Sequence, residues 1–326
     1  MNMKSIKTST CIAGFLAILA TASTAQTTWY LKTDNGANGY NTASYWNAVA
    51  DGTGAAATVM DGNAIYDTNG KAVRTTQAPR SEFLGGTLLL NRSEFSLKAV
   101  ATDVRNLTTA STGADIINAW YNPSGQTQIG DMTLRIAGTF ALNGHTGLFS
   151  STGRTITLEA GTLAGTGNLL VGGARQINSG NLVSTVTLKA TDATAYTGDI
   201  VVAYAGTTLS FGDNFVSGGG LRLESGARLN LATSLSFAGG IYLDGQAVAL
   251  TDGSYDYAAL LQVNAAFANF IIDQGGRITV GTIPEPSAVA LLTALAALGS
   301  SMIVRRHRCD ACPRVSGNLQ TRDYEA

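Results

Sequence analysis

The chain of 326 residues is long enough for one large domain or two medium ones. Charged residues are only 13% of it and the formal net charge is −1, so no basic field exists to gather phosphates and nucleic acid is excluded as a partner. Glycine is abundant, at 38 residues, yet 45% of the chain is hydrophobic, enough to bury a core. The three cysteines are Cys11, Cys309 and Cys312, so everything between relies on burial and backbone hydrogen bonds, not on disulfides.

The first element in chain order is a short apolar run, Cys11–Ala20, behind Lys4 and Lys7 and ahead of the small residues Ser23, Thr24 and Ala25. That order predicts a secretory signal over 1–25, removed by signal peptidase before Gln26. Residues 26–129 are rich in Asn, Asp, Gly and Tyr, and hold Trp29, Trp46 and Trp120. This β-rich stretch has two readings. Its aromatic residues close the open end of a repeat array, as terminal units must, or they stack on sugar rings of an extracellular polysaccharide.

Over 130–281 the apolar residues alternate in short runs broken by glycine: Leu134 and Ile136, Ile156 and Leu158, Val186 and Leu188, Leu209 and Phe211, Leu221 and Leu223, Leu229 and Leu231, Ile241 and Leu243. Alternation at period two means one buried face and one wet face. Glu224–Ala227 and Asp244–Ala247 read as turns. The unit recurs every ~20–30 residues, a solenoid period, because one unit is too small to bury its own face. The expected fold is all-β: a right-handed parallel β-helix or related β-solenoid, with a β-sandwich as the alternative. An outer-membrane barrel is not expected, since its strands need ~9–11 residues and aromatic girdles. The segment from Tyr196-Thr197-Gly198-Asp199 through Gly206–Phe211 to Gly219–Leu223 resembles the autotransporter-associated β-strand repeat, which implies a passenger-like β-helix and carries no catalytic residues.

The last region, 282–308, has three parts: Pro284-Glu285-Pro286; the uncharged run Ser287–Val304; and Arg305, Arg306 and Arg308. As a helix, 287–304 would rise about 27 Å, close to the hydrocarbon thickness of a bilayer, and it would satisfy its own backbone groups there. The arginines mark the cytoplasmic side and stop the helix, which leaves the body outside. Together these parts resemble the PEP-CTERM sorting signal. The resemblance implies that an exosortase-type transpeptidase reads Pro284, Glu285 and Pro286 and cuts near them. Proteins of that kind usually end soon after the arginines, whereas here a short cytoplasmic tail, 309–326, follows. Its Cys309-Asp310-Ala311-Cys312 has only His307 nearby, too few ligands for zinc, and reads as two reduced thiols.

No catalytic constellation stands out, and no cofactor or metal site is expected. The body has a single histidine, His145, in Asn143-Gly144-His145-Thr146-Gly147, with no nucleophile elbow. The carboxylates Asp103, Asp115, Asp131, Asp192 and Asp199 are scattered beside turn formers. The functional expectation is an exported, structural or adhesive surface protein that is not an enzyme. A surface carbohydrate-binding module is the alternative, and a polysaccharide-active β-helix enzyme a third reading.

Overall fold

The computed structural model describes residues 26–34, 40–118, 130–150, 153–173 and 183–281. The signal 1–25, the tail 282–326 and Trp120 lie outside these. Half of the described residues are in strands, only 6% are helical, and long parallel sheets carry the fold. Almost every strand pairs with one from the preceding and one from the following coil, in parallel. Parallel pairing between coils rules out the antiparallel sheets of the β-sandwich alternative, and among the described residues no sheet closes into a barrel.

Three stacks of strands run along the molecule. In the first, 80–82, 101–104, 132–136, 155–160, 184–188, 207–211, 228–231 and 271–273 lie over one another. The second begins at 28–31 and passes through 65–67, 87–90 and 106–109 to 139–142 and 162–165. Strands 215–217, 234–237 and 277–280 form the parallel stack at its far end, joined to it through Tyr196, whose carbonyl accepts from Gly218 at 2.9 Å. The third stack runs from 73–74 through 93–97, 114–118, 146–150, 169–173, 200–202 and 221–223 to 241–243. The long strand Met132–Leu142 serves two stacks, with a register shift between Ile136 and Thr139 where it turns the corner at Gly138.

The alternation read from the sequence places the core. Trp29, Tyr66, Leu88, Leu107, Phe140 and Leu163 fall in one register column of the second stack, and all but the half-buried Trp29 are buried. Leu134, Leu158, Leu188 and Phe211 do the same in the first. Each buried leucine or phenylalanine contributes about 1.5–3 kcal/mol, and the columns join successive coils into one apolar cluster.

The corners explain the glycine content. Between the second and third stacks, Gly144, Gly167, Gly198 and Gly219 lie over one another. A Cβ on Gly167 would sit 2.1 Å from the Gly144 carbonyl oxygen, one on Gly198 2.2 Å from that of Gly167, and one on Gly219 1.8 Å from that of Gly198. No side chain fits between coils at that corner.

Parallel stacking starts well before residue 130, the expected boundary of the repeats. The same sheet crosses that position without a break and reaches back to 28–31. The early coils are hard to read because their strands are only two to five residues long. Both ends close with antiparallel pairs: Trp46–Asn47 on Tyr30–Leu31 at the start, and Gln246–Ala247 on Tyr242–Leu243 and Gly253–Tyr255 on Ile278–Val280 at the finish. The predicted turn at Asp244–Ala247 is the first of the closing hairpins, with Asp244 and Gly245 both at positive φ, 48° and 73°. Two short helices, Tyr257–Val263 and Phe267–Phe270, were not expected. Asp256 caps the first by accepting from the Ala259 amide at 2.9 Å, and Leu260, Phe267 and Phe270 are buried against the last coils. No described helix is long and apolar enough to cross a membrane.

Candidate functional site

The two described tryptophans sit in the core end of the first coils. Trp46 is 0% exposed. Its indole N–H donates to the Tyr40 carbonyl at 3.0 Å, and its ring meets Tyr66 edge-on at 5.0 Å. Tyr40 in turn stacks on Phe83 at 5.2 Å. Its hydroxyl lies 3.2 Å from that of Ser81, and burial pushes its ionisation well above the usual tyrosine range. Trp46 therefore has no face to offer a sugar, against the carbohydrate reading for that residue. Trp29 is half-buried and packs against the core as the first rung of its column.

The carboxylates noted in the sequence are engaged one by one and do not converge. Asp103 accepts from Arg80 Nε at 2.7 Å. Asp131 accepts from the Thr155 amide at 2.8 Å. Asp192 closes a turn on Thr194, accepting from its amide at 2.9 Å and its hydroxyl at 2.7 Å, and those bonds hold its carboxyl below the usual range. Asp199 accepts from the Gly220 amide at 2.8 Å and from Arg222 Nε at 2.6 Å. His145 is exposed, and its carbonyl accepts from the Ala114 amide at 3.1 Å. Among the described residues no group of three potential metal ligands occurs.

Two charged features emerge only from the register. On the outer surface of the first stack, Asp103, Arg135, Glu159 and Lys189 fall in one column. Glu159 binds Arg135 at 2.9 Å on one side and Lys189 at 3.2 Å on the other. Partial burial works to raise the Glu159 carboxyl, and the two cations together outweigh it and hold it below the usual range. On the third stack Arg222 lies over the Tyr242 ring, 3.8 Å from its centroid. The Asp199 bond raises the Arg222 guanidinium further above its ordinary value. The residues are 23 and 24 positions apart in the Asp199–Arg222 and Arg135–Glu159 pairs, one coil each, so pairwise inspection of neighbours in the chain cannot find them.

Several of these polar side chains thus join coils, as some hydroxyls also do: Thr109 with Thr146 at 2.9 Å and Thr68 with Ser93 at 2.9 Å. No family model matches the chain, and neither a curated protein nor a solved structure matches it.

Proposed function

We propose that this is an exported, non-catalytic surface protein whose body is a right-handed parallel β-helix, delivered by a signal at 1–25 and a sorting tail at 282–308. The observation that carries the reading is the order of the tail: Pro284-Glu285-Pro286, then the uncharged 287–304, then Arg305, Arg306 and Arg308. The fold supports it. An all-β stack without disulfides keeps its stability outside the cell through buried columns and backbone ladders that do not depend on redox state. The engagement of its carboxylates in turns and coil-to-coil ion pairs supports a structural or adhesive role over catalysis.

In this reading an exosortase-type transpeptidase recognises Pro284, Glu285 and Pro286 while 287–304 sits in the membrane, and the body reaches the cell surface or the surrounding polysaccharide. The test is replacement of Pro284, Glu285 and Pro286 by alanine in the producing cell. Uncut protein should accumulate in the membrane fraction. Unchanged mass and unchanged location would refute the sorting step and leave 287–304 as a plain anchor.

A further inference from the structure

The outer surface of the first stack carries a two-dimensional grid of threonines. Thr155 and Thr157, Thr185 and Thr187, and Thr208 and Ser210 occupy equivalent positions on three successive strands. Thr133 and Asn230 extend the second column by one strand at either end. All lie on the outward face and remain half-buried, although the Asn230 side-chain oxygen is itself covered and, among the described residues, without a partner. Among the described residues, no other protein group takes up the hydroxyls of Thr133, Thr155, Thr157, Thr185, Thr187 or Thr208.

Strand propensity explains a threonine on any one of these strands but not the grid. The other two stacks are built from the same composition, and their outward columns are mixed. One reads Asp115, Gly147, Leu170, Val201, Arg222 and Tyr242. Another reads Leu89, Thr108, Ala141 and Ala164. The first stack places hydroxyl side chains in two adjacent columns over three contiguous coils, ending at Arg228 in one column and Asn230 in the other, whereas the second stack has only the single pair Thr139 and Thr162.

The sheet fixes the spacing of that grid. Neighbouring strands are about 4.8 Å apart and side chains two residues apart on one strand are about 6.6 Å apart. The first interval is close to one repeat of water oxygens on a prism face of ice, and the second is about a tenth shorter than the other repeat. Each threonine presents a methyl and a hydroxyl on a stiff χ1, so the array orders water without needing to move. The charged column beside it, Arg135–Glu159–Lys189, is tied along the stack by its own ion pairs and forms a border. The geometry points to an ice-binding surface: the Thr133–Ser210 grid of the first stack adsorbs to ordered water. The inference is independent of the sorting tail.

The test uses the purified full-length chain in non-ionic detergent, with the detergent buffer as baseline, and measures ice-crystal shaping and the gap between melting and freezing points. The wild-type protein should shape crystals and hold that gap open. Thr157→Lys and Thr187→Lys, each placing a long charge in the grid, should bring the gap down to the buffer baseline while circular dichroism and the melting temperature stay unchanged. Thr108→Lys, outward on the neighbouring stack, should leave the gap as in wild type. A wild-type protein no different from buffer overturns the inference. So does activity that survives both grid substitutions. Retention on an insoluble polysaccharide that Thr157→Lys abolishes, without any ice shaping, assigns the face to a glycan and overturns it as well.

Discussion

Replacing Gly198 with alanine forces a methyl against a backbone oxygen of the coil beneath. The added Cβ would lie 2.2 Å from the Gly167 carbonyl oxygen, where a relaxed contact needs more than 3.0 Å. That oxygen belongs to main chain, so the coil itself has to lift by most of an ångström. The corner bonds nearby, Thr197 N–H to the Gly165 carbonyl at 2.9 Å and Gly218 N–H to the Tyr196 carbonyl at 2.9 Å, stretch with it. Overpacking of this kind costs about 2–3 kcal/mol, which for a body of this size lowers the melting temperature by about 5–10 °C. Two other glycines separate the causes. At Gly240, φ is +84° and nothing lies within 4 Å of the added carbon, so alanine there costs only the left-handed penalty of about 1–2 kcal/mol. At Gly130 neither problem arises, and alanine stabilises by about 0.4–1 kcal/mol through the unfolded chain. Thermal melting of the three variants by circular dichroism should rank them Gly198→Ala lowest, Gly240→Ala next and Gly130→Ala highest. A Gly198→Ala protein that melts with wild type would refute the stacked-corner reasoning.

Trp46→Ala removes a fully buried ring and its bond to the Tyr40 carbonyl, and should cost about 3–5 kcal/mol in urea unfolding; a loss below 1 kcal/mol would mean the ring is not packed as described. The Glu159 carboxyl titrates below its usual value of 4.5 because of Arg135 and Lys189, so its contribution is present above that range and fades as pH falls through the depressed value. With side chains 31–45% exposed, the cluster is worth at most about 1 kcal/mol. The stability difference between wild type and Glu159→Gln should therefore be small and positive at neutral pH and vanish in acid; a difference that grows on acidification contradicts the sign.

Much of the second half of the body was legible in the sequence because its inward residues are large, apolar and separated by single polar ones. Leu209 and Phe211, Leu221 and Leu223, and Leu229 and Leu231 are buried as expected. The first coils were not legible as repeats. Strands such as Val73–Arg74 are too short to show a period, and buried polar residues such as Ser81 and Thr102 break the apolar alternation. Helix Tyr257–Val263 was missed although Asp256 stands at the right place for an N-cap, because the segment follows a run of turn formers. The exposed grid and the charged column were invisible for a different reason. They are made by register between coils of unequal length, linking residues 20 apart in the Asn230–Ser210 pair and 30 apart in the Lys189–Glu159 pair, and no local pattern encodes it. Trp46 was open to two readings, since an aromatic residue among Asn and Asp suits either the closed end of a repeat array or a sugar platform, and its burial favours the first.

Export and sorting of a folded β-stack are tested most directly by the mass of the mature protein. Intact-mass measurement of the protein recovered from outside the cytoplasmic membrane should give a chain that begins at Gln26 and ends near Pro284–Pro286. A full 326-residue chain recovered from the cytosol would contradict it.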